Sequence, residues 1–274
     1  MSTPIYDSDA PPAGPLVSAG RLWEQRGLVR LLIARDISTR YKRSLLGVWW
    51  TLLNPLLEML VLAAVFSQVF RFSAPGVPYV VYLLSGIIVA NLFRNAIMRA
   101  AGSIAENAPA LARLKVPVET FAVAAVLEVT FNFAMSLVPL AAIMVIAGEP
   151  VSLTAPLLVL PAALLVAFAL GVGLALAPLV VRFPDALLLA GIMLTFVTYL
   201  APVFYPVEIV PDRFDLVVEL NPLYHFLNVF RANVYGGSLG ALSDYAILLA
   251  YTTVALVGGS VVFARTQSRV LALL

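Results

Sequence analysis

The 274-residue chain has no cysteine and a single histidine, His225. Disulfide staples, thiolate nucleophiles and Cys/His zinc sites are therefore excluded. Charge is scarce: Asp, Glu, Lys and Arg together make up 12% of the residues, against roughly a quarter in a soluble domain. No G-x-x-x-x-G-K-[ST] segment occurs, so the chain has no P-loop with which to cradle a nucleotide. HExxH is absent too, and the polar stretches are too short for a nucleotide-binding domain. No residue stands out as catalytic, cofactor-binding or metal-ligating, and nothing points to nucleic acid. The chain reads as a non-enzyme; if ATP drives its work, another chain supplies the ATP site.

What is present is apolar. Hydrophobic residues make up 62% of the chain and the mean hydropathy is +0.98, which reads as a polytopic membrane protein. A span needs about 20 largely apolar residues. Six stretches qualify or nearly so: Val48–Phe70, Val80–Met98, Val118–Ile146, Leu153–Val180, Ala186–Phe204 and Tyr245–Phe263. The expected fold is an all-α integral membrane protein of six transmembrane helices, with one domain over residues 48–264.

The cations orient it. With both termini inside, the inner side carries Arg21, Arg26, Arg30, Arg35, Arg40, Lys42, Arg43, Arg94, Arg99, Arg113, Lys115, Arg182, Arg265 and Arg269, and only Arg71, Arg213 and Arg231 fall elsewhere. That bias satisfies the positive-inside rule and places the N- and C-termini in the cytoplasm. Residues 1–20 lack a basic region ahead of a short apolar core and read as a disordered cytoplasmic tail, not a cleaved signal. In residues 21–47, Leu28, Leu31 and Leu32 alternate with Arg26 and Arg30 at helical spacing. This is either an amphipathic helix in the interface plane or a plain juxtamembrane helix. Residues 265–274 form a second cytoplasmic tail.

Two segments do not span. Residues 105–117 are short, polar and bracketed by Pro109 and Pro117, with Leu111, Leu114 and Val118 at three- and four-residue spacing. They form either a docking knob for a soluble partner or a surface turn on the chain's own bundle. Residues 204–231 are too apolar for a free loop, and Asp212, Arg213, Asp215, Glu219 and Asn221-Pro222 interrupt them too often for a span. A re-entrant helical hairpin between the fifth and sixth spans fits, because irregular backbone at membrane depth needs protein or a water-filled cavity around it. It acts as an outer gate or as a packed cap.

Glu58 and Glu128 lie inside spans, where a carboxylate faces the bundle interior or a water path. Thr120, Glu128, Asn132 and Ser136 recur at multiples of four, and Asn54 precedes Glu58 by one turn. This polar stripe either lines a pathway or ties helices together. It is too sparse for a proton relay. Gly171, Gly173 and Gly258-Gly259 permit close helix approach.

The stretch Arg40-Tyr41-Lys42-Arg43-Ser44-Leu45-Leu46-Gly47-Val48-Trp49-Trp50, then Asn54-Pro55-Leu56 and Val65-Phe66, puts a basic collar, a glycine and an aromatic anchor before an apolar run. With Asn107-Ala108 through Leu114-Lys115-Val116-Pro117, Ala201-Pro202-Val203-Phe204-Tyr205-Pro206 with Val210-Pro211, and Asn221-Pro222-Leu223 ending at Phe230-Arg231, it resembles the membrane subunit of ABC-type exporters of lipid-linked polysaccharide, the O-antigen, capsule and teichoic-acid export permeases. The resemblance runs from about Leu22 to the last span. It implies a homodimer in the bacterial inner membrane, two copies of a separate P-loop ATPase carrying ATP and Mg, and a channel for a polymer on an undecaprenyl-type carrier. It makes Arg40, Lys42 and Arg43 candidate contacts for the lipid pyrophosphate, unless they only set topology and hold anionic lipid. Asn107, Leu111, Arg113, Leu114 and Lys115 become candidates for coupling to the ATPase, although Val116 stands where the family often has an aromatic. Glu58, Glu128 and Asn132 are the intramembrane candidates, and Tyr205, Pro206, Asn221 and Pro222 the outer gate. Two alternatives stay open: a permease of the same architecture for a drug or another lipid, and a non-transport scaffold of a synthesis complex.

Overall fold

The computed structural model describes residues 26–41, 46–68, 74, 76–111 and 117–271. Lys42, Arg43, Arg113, Leu114, Lys115 and the tail 1–20 lie outside the described residues, as does the side chain of Arg40. The described residues are helical throughout, apart from turns and one isolated bridge between Ala74 and Val77. In chain order the helices are α1 (Arg26–Tyr41), α2 (Trp50–Gln68), α3 (Tyr79–Glu106), the short α4 (Ala108–Leu111), α5 (Glu119–Ile146), α6 (Val159–Arg182), α7 (Asp185–Leu200), the short α8 (Asp215–Glu219), α9 (Pro222–Val234) and α10 (Leu242–Leu271).

Four of these are long and apolar enough to cross a membrane: α3, α5, α6 with the 3-10 turn before it, and α10. Two shorter apolar helices, Trp50–Phe66 and Asp185–Leu200, stand at the positions of the first and fifth expected spans. At about 1.5 Å per residue they reach roughly 24–26 Å, a little less than the roughly 30 Å hydrocarbon core.

α3 is the central post. Its buried residues run almost its whole length, from Tyr79 to Ile104. α5 and α6 pack on it, and α6 in turn holds α10. The α6–α10 contact is a backbone contact: a Cβ on Gly259 would collide with the backbone of Gly171, and one on Gly171 with that of Ala255. Gly173 is equally tight against Ala100 of α3, whereas Gly258 faces open space. Of the sequence's glycine pairs, the packing uses Gly171, Gly173 and Gly259. Thr252 adds a side-chain hydrogen bond to the Leu164 carbonyl, 3.2 Å, across the same pair of helices.

α1, α4, the α6–α7 turn and the end of α10 meet at one end, here termed the basic end. Val29 and Leu32 of α1 are buried there among Ile104, Leu111, Phe121 and Phe263. α1 therefore packs on the bundle along its apolar face. Leu111 and Val118, 8% and 2% exposed, are turned into this same cluster, so the apolar face expected on residues 105–117 is occupied at these two positions by the chain's own core.

Candidate functional site

Two polar constructions stand out, one in the basic half of the bundle and one at its opposite end. The first begins on α3. Asn91, Asn95, Arg99, Ser103 and Asn107 recur every four residues, so they form one slowly drifting stripe along the helix. Glu128, Asn132 and Ser136 of α5 share the same spacing and face it. Arg99 is where the stripes join: its guanidinium donates to Glu106 at 2.9 Å and to Glu128 at 3.2 Å. Glu128 is 1% exposed. A carboxylate that deep is tolerable only when paired and hydrogen-bonded, and Asn132 also donates to it at 3.4 Å. Ser136 then bonds the Asn132 carbonyl at 2.9 Å and reaches the Thr51 carbonyl of α2 at 3.5 Å. Asn91 donates to Glu58 of α2 at 3.3 Å.

Between α2, α3 and α5 lies a cleft of about 610 Å³, lined by Trp50, Asn54, Asn91, Asn95, Arg99 and Asn132 among others. Of the expected intramembrane residues Asn132 lines the cleft, while Glu128 and the exposed Glu58 stand behind it as partners of the lining residues Arg99, Asn132 and Asn91. Thr120, the first member of the expected α5 stripe, is fully buried and lies away from it. At the basic end, Asn107 accepts from Arg35 of α1 at 2.9 Å and donates to the Ser103 carbonyl at 2.8 Å. Polar contacts therefore run from α1 and α4 through α3 to the cleft.

The opposite end is built on Arg231. It is 8% exposed, and its bonded partners are neutral oxygens: the Pro202 carbonyl at 2.9 Å, the Tyr82 and Val203 carbonyls at 3.3 Å each, and Ser85 Oγ at 3.5 Å. Its guanidinium lies 3.6 Å from the centre of the Tyr82 ring, a close cation–π contact. The chain leaves α7 at Ala201 in extended conformation, and Pro202 denies a further helical turn. The freed carbonyls need donors. Arg231 supplies two, the single Tyr82 hydroxyl proton is shared between the Pro202 and Tyr205 carbonyls at 2.9 and 2.8 Å, and Tyr79 Oη donates to Phe204 at 2.6 Å. Burial pushes the Tyr205 hydroxyl up from its ordinary pKa, so it stays a neutral donor to the Tyr199 carbonyl, 3.1 Å away.

Asn221 caps α9, its Oδ1 accepting from the Leu223 amide at 3.0 Å, with Pro222 in the first helical turn. This is the favoured chemistry for a helix start. α9 is wholly integrated: Leu223, Phe226, Leu227 and Phe230 sit in the main core, and Phe226 joins Phe168 of α6 and Phe93 of α3 in a run of ring contacts 5.8–5.9 Å apart. His225 joins the α8 end to α10, with Nδ1 2.8 Å from Asp244 and Nε2 2.8 Å from the Glu219 carbonyl. Of the expected gate residues, Tyr205 and Pro206 lie in the segment after α7, and Asn221, at the start of α9 before Pro222, donates to the Val197 carbonyl of α7 at 2.8 Å. The stretch between them leaves Ile209, Phe214, Leu216 and Leu220 exposed.

Arg99, Arg231 and Tyr82 are not among the site candidates that the sequence pattern singles out. A signal for the first was available in the four-residue spacing from Asn91 to Asn107. Arg231 carries none, since its partners are main-chain carbonyls.

Known proteins resemble the chain over nearly its full length. It is 28% identical to the O-antigen export system permease protein RfbA of Myxococcus xanthus over 245 residues, 88% of this chain and 93% of the relative. It is 27% identical to the polysialic acid transport protein KpsM of Escherichia coli, covering 90% and 96%, and 26% identical to the capsule polysaccharide export inner-membrane protein CtrC of Neisseria meningitidis serogroup A, covering 88% and 91%. Residues 27–235, which hold both polar constructions, match the family described as ABC-2 type transporter, and the chain belongs to that family.

Proposed function

We propose that the chain is the permease subunit of an ATP-driven exporter that moves an undecaprenyl-pyrophosphate-linked polysaccharide across the bacterial inner membrane. The observation that carries this reading is the likeness, over about nine-tenths of the chain, to relatives named for polysaccharide export. The missing P-loop supports a division of labour in which a separate ATPase binds ATP and Mg. The inward cation bias places the basic end in the cytoplasm. There the segment from Asn107 to Lys115 couples to the ATPase, and Arg40, Lys42 and Arg43 serve as contacts for the lipid pyrophosphate. A pair of subunits encloses the path, and the segment from Tyr205 to Arg231 closes its outer end.

Deleting the gene tests the reading. Expected are loss of one surface polysaccharide and accumulation of its lipid-linked form inside; unaltered surface polymer refutes export. The relatives also support a capsule polymer as cargo in place of O-antigen, and which polymer disappears decides between them. Purified chain with its ATPase in vesicles is expected to hydrolyse ATP faster when lipid-linked polymer is present. A scaffold without transport activity would leave that rate unchanged.

A further inference from the structure

The cleft between α2, α3 and α5 differs chemically from the basic collar. Four of its lining residues are asparagines, Asn54, Asn91, Asn95 and Asn132. A carboxamide offers an acceptor and a two-proton donor side by side, which matches the adjacent hydroxyls of a sugar ring. Asn54 and Asn95 are exposed, and their side chains have no hydrogen-bond partner among the described residues. The buried Oδ1 of Asn132 has none either. Trp50 adds an aromatic side chain to the lining. The volume of about 610 Å³ lies within the roughly 300–1,000 Å³ of small-molecule sites.

Charge decides against an anionic occupant. Arg99 is the one cation among the described lining residues, and it is already held by Glu106 and Glu128. Glu58 adds a third carboxyl beside Asn91. A pyrophosphate entering here would have to compete with two carboxylates for Arg99, whereas an uncharged polyol meets amides that need partners. We infer that this cleft binds neutral, hydroxyl-rich sugar rings and leaves the anionic carrier group to another part of the protein. The inference rests on the export reading and assigns a position to the glycan part of the cargo.

The test uses the full-length protein in nanodiscs and two kinds of probe. One is a set of neutral trisaccharides built from hexose, deoxyhexose and N-acetylaminohexose units; the other is inorganic pyrophosphate. Saturation-transfer NMR is expected to detect binding of at least one trisaccharide. The Asn54→Ala/Asn95→Ala variant, which removes no hydrogen bond seen among the described residues, should bind it about tenfold more weakly. Pyrophosphate should not compete. Absence of saccharide binding, unchanged binding in the variant, or displacement by pyrophosphate each overturns the inference. A complementation arm keeps the two readings apart. Normal surface polymer from the double variant, in a strain where deletion abolishes it, removes the cleft site and leaves export standing. Normal polymer in the deletion strain itself removes export.

Discussion

At the scale of single residues, Arg231 is an arginine used as a backbone cap. Its planar fork satisfies the Pro202 and Val203 carbonyls of the irregular segment that follows helix α7, and lysine offers no such fork. Hydrogen bonds to a charged donor contribute about 1.5–3 kcal/mol each. Arg231→Lys is expected to lose at least one and to loosen the strand from Ala201 to Tyr205 by roughly 2 kcal/mol. Because the chain has no cysteine, a lone Val203→Cys reports the change without background. Val203 is 0% exposed, so labelling by a water-soluble maleimide should be slow, and about tenfold or more faster when Arg231→Lys is added. An unchanged rate would show that the tyrosines suffice. Gly86 belongs to the same construction: a Cβ there would sit 2.7 Å from the Val203 carbonyl and 2.8 Å from Arg231 Nη2. None of this was legible in the sequence, which shows side chains and their spacing but not which carbonyls a proline has orphaned. The start of α9 was legible, because Asn221-Pro222 announces a helix start by its own local chemistry.

At the scale of elements, glycine spacing indicated close packing without saying which glycines take part. Gly259 meets Gly171 backbone to backbone while its neighbour Gly258 meets nothing. Gly259→Ala is therefore expected to push α10 off α6. Overpacking costs about 1–3 kcal/mol, and a collision with rigid backbone belongs at the upper end of that range. Gly258→Ala should be neutral or slightly stabilising, since alanine favours helix over glycine by about 1 kcal/mol. Thermal unfolding of the two variants in detergent separates them, and equal melting temperatures would contradict the packing described. The long apolar helices were legible because 20-residue runs have few alternatives. α9 was harder. Its 13 residues give about 20 Å of helix, too short to span, yet its apolar face is as buried as that of any span. Burial of a short helix inside a bundle depends on the neighbours that receive it, here Phe133 and Phe168, and those come from distant sequence.

At the scale of the whole molecule, the bundle is lopsided. α3 is enclosed, while α7 buries only Ala190 and Leu194. Leu188, Ile192, Phe196 and Tyr199 form an exposed row on it, and Leu57, Leu60, Val61 and Val65 do the same on α2. In a membrane such faces need no water-driven burial, so exposure alone does not name their neighbour. The proposed homodimer does: two copies enclosing a path must meet along helices that the single chain leaves uncovered. α7 joins the segment from Ala201 to Tyr205, so an interface on α7 would also set the outer end of the path. The cysteine-free background again makes the test direct. Ile192→Cys, 53% exposed on α7, is expected to cross-link to its counterpart in native membranes with a short bifunctional maleimide. Val254→Cys, 72% exposed on α10, serves as the control, because α10 is held by α6 and its outer face is assigned to lipid. A cross-linked dimer through Ile192→Cys and none through Val254→Cys supports pairing along α7. The reverse pattern would move the interface to α10 and, with it, the wall of the transport path.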